Sequence, residues 1–80
     1  MDKFQISLAA ARVNARMTQE DVAKLLRVSK NTVVSWEKGE SEPKIAQARA
    51  MSEAFRMPLE YIFLMIKSNK NGLMFKNSIP

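Results

Sequence analysis

Residues 17–39, MTQEDVAKLLRVSKNTVVSWEKG, decide the fold, because they contain two helix starts separated by only a short turn. Thr18 is a typical N-cap residue, and the apolar spacing after it predicts a helix over Gln19–Leu26. Ser29 is a second N-cap residue, which predicts another helix over Lys30–Lys38. Two short helices joined by a turn of about three or four residues can pack roughly at right angles.

The apolar residues of this stretch have the spacing that such a crossing requires. A small side chain is needed where the two helices approach closely, and Ala23 supplies it. Gly39 then ends the second helix of the pair. The residues spaced to fill the angle between the helices are Val22, Leu26, Val28, Val33 and Trp36. We therefore expect Trp36 in the core rather than stacked on single-stranded bases.

If Val33 and Trp36 point inward, helical geometry places another set of residues on the opposite surface. This outer face comprises Lys30, Asn31, Val34, Ser35 and Lys38. It contains no acidic residue, and we expect it to expose the apolar side chain of Val34. In the major groove of DNA, Lys donates to guanine, Asn pairs with adenine and Val touches the thymine methyl group. The outer face therefore predicts a helix that reads double-stranded DNA.

The rest of the chain predicts three further helices. An Ala-rich stretch predicts a first helix over about Gln5–Ala15. A fourth helix is expected over about Lys44–Phe55. Its predicted buried stripe comprises Ile45, Ala48, Met51 and Phe55. Pro58 suits the first turn of a fifth helix that continues to about Lys67, so the fold class is all-α.

Length and charge limit the organisation of the chain. Eighty residues allow one domain, which we place at residues 1–66, followed by a basic, partly apolar tail at residues 67–80. The tail is expected to be poorly ordered or part of a dimer interface. Three basic residues of the tail supply more than half of the net charge of +5, so net charge is weak evidence for a polyanionic partner. They are Lys67, Lys70 and Lys76.

Composition argues against several functional classes. Cysteine and histidine are absent, which removes thiolate metal sites, the commonest zinc ligand and the commonest general base. We therefore expect no enzyme activity, no cofactor, no metal and no small-molecule substrate. The first residues, MDKFQISLAAARV, contain no long apolar stretch, and the longest apolar run, Tyr61–Ile66, is too short to cross a bilayer. We expect a cytoplasmic protein with no membrane partner.

The stretch 17–39 closely resembles the helix-turn-helix of the phage repressor and Cro family, also called the XRE family. The matching residues are Thr18-Gln19, Val22-Ala23, Val28-Ser29, Val33, Trp36-Glu37 and Gly39. The resemblance extends from about Ile6 to Phe63, and it includes Arg12, Pro43, Ile45, Leu59 and Ile62. It implies a compact five-helix repressor-like domain that binds operator DNA as a dimer.

The resemblance also implies roles for individual residues. Lys30, Asn31 and Ser35 occupy base-reading positions, beside Val34 on the same outer face. The residues expected to contact the DNA backbone are Thr18, Gln19, Ser29, Thr32, Lys38 and Lys44. For Thr18 and Gln19, the positive end of their helix would help to hold a phosphate. Arg12 and Glu37 match a salt bridge between the first and third helices; as an exposed pair it would contribute ~0–1 kcal/mol.

Three arginines depart from the family pattern. Arg16, Arg27 and Arg56 stand where relatives often carry glycine at a helix end. A left-handed backbone at a non-glycine residue costs about 1 kcal/mol or more, so these turns either bear that cost or adopt another conformation. Arg16 and Arg27 flank the second helix, where phosphate contacts would offset the cost, and both are further candidates for the DNA backbone. Arg56 lies on the expected dimer side and has no such compensation.

The fifth helix carries more apolar surface than one small core uses, which predicts a two-fold interface. The expected interface comprises Met57, Pro58, Tyr61, Ile62 and Met65. A homodimer would hold two recognition helices about one DNA turn apart, ~34 Å, and would read an inverted repeat in operator half-sites.

These features together predict a sequence-specific transcriptional regulator, either a phage or prophage Cro-like protein or the DNA-binding domain of a repressor, that blocks transcription by occupying an operator. The alternative within DNA binding is an antitoxin that represses its own operon, with the apolar part of the tail as its toxin-binding surface. A protein-interaction module on the same fold is a further alternative. Such a module would tolerate acids or larger apolar residues on the outer face, which has none.

Overall fold

A computed structural model describes residues 7–70, with side chains described for residues 7–67. Within this part of the chain there are five helices and no strand, which confirms the all-α fold class. In chain order the helices are α1 (Leu8–Asn14), α2 (Gln19–Leu26), α3 (Lys30–Lys38), α4 (Ile45–Phe55) and α5 (Leu59–Lys70). None of these described helices is long and apolar enough to cross a membrane.

The helix boundaries agree with the prediction at α2 and α3, where the predicted N-cap residues Thr18 and Ser29 cap the first turn with their side chains. Both α2 and α3 have the predicted bounds. The predicted start of α1 at Gln5 is wrong, because Ser7 is extended and its hydroxyl accepts a hydrogen bond from the Ala10 amide at 3.0 Å. Ser7 is therefore the N-cap, and α1 begins at Leu8. The last helix, α5, continues to Lys70, beyond its predicted end at Lys67.

Each of the first four helices is followed by a residue in the left-handed region, which is the C-cap of α2, α3 and α4 and lies one position after the Ala15 C-cap of α1. These residues are Arg16, Arg27, Gly39 and Arg56, with φ of 61°, 60°, 79° and 56°. The amide that follows each one bonds to the carbonyl five residues before it: Met17 to Arg12, Val28 to Ala23, Glu40 to Ser35 and Met57 to Ser52. This is the Schellman arrangement, which satisfies carbonyls at a helix end. The hypothesis that the three arginines adopt another conformation is wrong, and each bears a backbone cost of about 1–2 kcal/mol.

One hydrophobic core joins the five helices. Its buried members are Leu8, Ala11, Val22, Ala23, Val33, Trp36, Ala48, Met51, Phe55, Ile62, Met65 and Ile66. Ala23 is buried where α2 packs on α3, and Trp36 lies in the core, as expected from the spacing of apolar residues. Leu26, at the end of α2, and Val28, in the turn that follows, are partly buried against the same core. The position of α3 therefore depends on the packing of Val33 and Trp36 in this core.

The predicted buried stripe of α4 is wrong at its first residue. Ile45 is 63% exposed, whereas Ala48, Met51 and Phe55 are buried. At about 100° per residue, Ile45 lies roughly a quarter turn from the centre of that stripe. It faces a shallow groove with Ala46, Arg49, Ala50 and Glu53.

Candidate nucleic-acid interface

Two reciprocal hydrogen bonds fix the start of α2. The Thr18 hydroxyl accepts from the Asp21 amide at 3.0 Å, and the Asp21 carboxylate accepts from the Thr18 amide at 2.8 Å. The bond from the Thr18 amide, followed by the Thr18 hydroxyl, lowers the pKa of Asp21 below its usual 3.8. This capping box sets the direction in which the first amides of α2, and the positive end of its dipole, point.

The start of α3 is capped in a related way. The Ser29 hydroxyl accepts from the Thr32 amide at 3.1 Å, and the Ser29 and Thr32 hydroxyls lie 2.9 Å apart. Both residues are predicted to contact the DNA backbone. The structure brings them together where α3 begins, with Ser29 exposed and Thr32 half-buried.

The outer face of α3 lies opposite the buried side chains of Val33 and Trp36. Lys30, Asn31 and Lys38 are exposed. The expectation that Val34 is exposed is wrong: Val34 is half-buried, as is Ser35. The four predicted base-reading residues therefore share one side of α3 and differ in how far they project.

Two members of the outer face already have polar contacts inside the chain. The Ser35 hydroxyl lies 2.9 Å from the hydroxyl of Ser41, in the loop between α3 and α4. The Lys30 ammonium lies 3.6 Å from the Glu20 carboxylate on α2. Neither contact was predicted, because neither partner lies on α3 and helical periodicity relates only residues of one helix.

An ion pair at the back of α3 ties three helices together. Arg12 Nε donates to Glu37 Oε2 at 2.6 Å, and Arg12 Nη1 donates to the Met17 carbonyl at 2.9 Å. Gln19 Nε2 donates to Glu37 Oε1 at 3.0 Å. The salt bridge that the resemblance implies between the first and third helices is therefore present. The alternative of an exposed pair is wrong, because the Arg12 and Glu37 side chains are only 14% and 9% exposed.

This network changes what Gln19 offers to a ligand. Gln19 is predicted to contact a phosphate, and one of the two hydrogens of its amide group is directed to Glu37 instead. The network therefore positions Gln19 at the start of α2 and leaves its second amide hydrogen for another acceptor.

The remaining candidates for the DNA backbone are exposed at different ends of the helices. Arg16 lines an open cleft with Thr18, Gln19 and Glu20, which places a cation beside the start of α2. Arg27 lies at the opposite end of α2, two positions before the α3 cap. Lys44 is the N-cap of α4, where its amide donates to the Gln47 side chain at 2.7 Å.

Comparison with known proteins agrees with this arrangement. The sequence model of a helix-turn-helix family matches residues 8–62, which include α1 to α4 and the first turn of α5. The chain belongs to the XRE-type helix-turn-helix family. It is 40% identical over 48 residues to an uncharacterized HTH-type transcriptional regulator of Methanocaldococcus jannaschii, and the match covers 60% of this chain and 73% of the relative. No solved structure matches the chain.

The structure corrects the dimer interface that was predicted from the apolar surface of the fifth helix. Ile62 and Met65 are 0% exposed, because both fill the core of their own chain, and their assignment to an interface is wrong. Pro58 and Tyr61 are exposed and Met57 is half-buried. Leu64, which is not among the predicted interface residues, is exposed on α5 one turn after Tyr61. Helical geometry could have indicated this exposure from the sequence, because at about 100° per residue Leu64 points away from the side of α5 that carries Ile62 and Met65.

Proposed function

We propose that this XRE-type chain is a sequence-specific regulator that inserts α3 into the major groove of double-stranded DNA. The observation that carries the proposal is the division of α3 into two sides. Val33 and Trp36 hold one side in the core, and the other side presents Lys30, Asn31 and Ser35. These three side chains supply the donors and acceptors that discriminate base edges, and a rigid helix presents them together.

The contacts around α2 support a role in holding the DNA backbone. The capping box fixes the first turn of α2, and Arg16 lies in the cleft beside it. A helix N-terminus with a neighbouring cation is a favourable environment for a phosphate. We propose that this end of α2 binds one backbone phosphate, while Ser29, Thr32 and Lys38 bind others and set the register of α3 on the duplex.

The exposed side of α5 supports a homodimer. Tyr61 and Leu64 are 45% and 39% exposed, and Pro58 is exposed three residues before Tyr61. Apolar side chains grouped on one surface are typical of a protein–protein contact. We propose that Pro58, Tyr61 and Leu64 meet their counterparts across a two-fold axis, so that the dimer occupies two half-sites and blocks transcription as a Cro-like protein or repressor domain does.

The alternative functions have less support. The toxin-binding surface of the antitoxin hypothesis falls on Leu73, Met74 and Phe75, which lie outside the described residues. A protein-interaction module would be favoured by large apolar side chains on the outer face of α3. Its one apolar member, Val34, is half-buried.

Selection of binding sites from a library of random duplexes tests the proposal. We expect enrichment of an inverted repeat whose half-site centres lie about one helical turn apart, roughly 10 base pairs. A Lys30→Ala/Asn31→Ala/Ser35→Ala variant should lose the enrichment, and Arg49→Ala, an exposed change on α4, should keep it. A wild-type chain that enriches no sequence would overturn base reading. Enrichment of single half-sites by a monomer would overturn the proposed homodimer but not base reading by α3.

A further inference from the structure

The ion pair between Lys30 and Glu20 joins the base-reading helix to the helix before it. Lys30 is the first residue of α3 and Glu20 is the second residue of α2, and their charged atoms lie 3.6 Å apart. The side chains are 52% and 63% exposed, so the pair lies on the surface and not in the core. It therefore contributes little to the fold, and its effect falls on what Lys30 can reach.

A lysine has a flexible stem and a compact charge, so one ammonium can reach several acceptors. At a DNA surface these include guanine O6 and N7 and any nearby phosphate oxygen. Contact with a phosphate carries no sequence information, whereas contact with guanine does. An unrestrained Lys30 would therefore add affinity for all DNA as readily as selectivity for one base.

Glu20 changes this balance in two ways. Its carboxylate holds the ammonium on the α2 side of the outer face, which narrows the set of positions that Lys30 occupies. It also lies in the cleft beside Arg16, Thr18 and Gln19, where a phosphate is proposed to bind. A negative charge there weakens the attraction of the cleft for any phosphate, because like charges brought together at an interface are unfavourable, so binding to all DNA is weaker than Arg16 and the α2 amides alone would give.

We propose that Glu20 is a specificity-determining positioning residue, which directs Lys30 to a base and weakens binding to non-cognate DNA. The proposal rests on the proposed function, because it assumes that Lys30 reads a base. The pair is exposed, and exposed pairs contribute about 0.2–1 kcal/mol, so the expected effect on binding is about 1.5- to 5-fold.

The test compares Glu20→Gln with wild type on three duplexes: the selected site, the same site changed at the base pair that Lys30 reads, and a random sequence. The base pair is identified as the one at which Lys30→Ala loses discrimination. We expect Glu20→Gln to bind random duplex about 1.5- to 5-fold more tightly and to lose discrimination at that base pair by a similar factor. In the Lys30→Ala background, Glu20→Gln should leave discrimination unchanged.

Glu53→Gln on α4 is the matched control, because it removes the same charge from another exposed position. It separates a local effect from the change in net charge. The inference is overturned if Glu20→Gln discriminates as wild type does, or if Glu53→Gln produces the same loss. If the wild-type chain prefers no sequence, or if Lys30→Ala alters no base preference, base reading by Lys30 is itself overturned. If Glu20 only stabilised the fold, Glu20→Gln would weaken binding to all duplexes and would not change discrimination at a single base pair. The measurement therefore distinguishes positioning of Lys30 from a loss of stability.

Discussion

Replacing Arg12 with alanine should destabilise the domain more than a surface ion pair would suggest. Arg12 donates two hydrogen bonds, to the Glu37 carboxylate at 2.6 Å and to the Met17 carbonyl at 2.9 Å. Hydrogen bonds that involve a charged group contribute about 1.5–3 kcal/mol each. The Arg12→Ala variant also leaves Glu37, only 9% exposed, with the neutral Gln19 amide as its partner in this network. We expect a loss of about 3 kcal/mol in the free energy of unfolding.

That loss would be a large part of the stability of the chain. At about 0.05–0.15 kcal/mol per residue, 80 residues give a total of roughly 4–12 kcal/mol. Urea unfolding followed by circular dichroism measures the change, and a double-mutant cycle of Arg12→Ala with Glu37→Gln isolates the pair. We expect a coupling energy of about 1.5 kcal/mol or more.

A second cycle, with Lys30→Ala and Glu20→Gln, is the matched control, because that pair is exposed and should couple by under about 1 kcal/mol. The reasoning from burial is refuted if Arg12→Ala costs less than about 1 kcal/mol. It is also refuted if the two cycles give the same coupling energy.

Three further predictions concern the helix ends and the DNA backbone. Arg56→Gly should raise the free energy of unfolding by about 0.5–1 kcal/mol, because it relieves a left-handed residue (φ 56°) at some cost in chain entropy; a lower urea midpoint would contradict this. For Asp21, whose pKa is lowered by its bonds with Thr18, the carboxylate contributes stability that is present above its usual pKa of 3.8 and is lost as pH falls through the lowered value. The stability difference between wild type and Asp21→Asn should therefore be constant near neutral pH and should shrink below about pH 4, and a difference that grows on acidification would show the sign to be wrong. Lys38→Ala should weaken binding to all duplexes and reduce the slope of log K against log salt by about one, so an unchanged slope would remove Lys38 from the phosphate contacts.

The parts of the fold predicted correctly are those fixed by local chemistry. The starts of α2 and α3 follow from Thr18 and Ser29, whose hydroxyls cap the first turns. The end of α3 follows from Gly39, which takes the left-handed conformation that glycine allows. These signals depend on residues three or four positions apart, so the sequence alone is sufficient to interpret them.

Apart from the start of α1, which Ser7 caps, and the end of α5, the incorrect predictions concern relations between helices. Helical periodicity indicates that α5 has apolar residues on more than one side, but it does not indicate which side meets α1, α3 and α4. The predicted interface therefore includes Ile62 and Met65, although both fill the core. The Lys30–Glu20 and Ser35–Ser41 contacts depend on how α2, α3 and the following loop are placed in space, which no spacing within one helix can predict.

Base reading by the outer face of α3 is tested most directly by Asn31→Ala on the selected duplex and on a set of duplexes that change one base pair at a time. We expect the variant to lose about 1–3 kcal/mol on the selected site and to lose discrimination at one base pair only, because Asn pairs with a single adenine. The positions read by other residues should keep their preferences. An equal loss on random DNA, or an unchanged preference at every base pair, would contradict the claim that this face reads sequence.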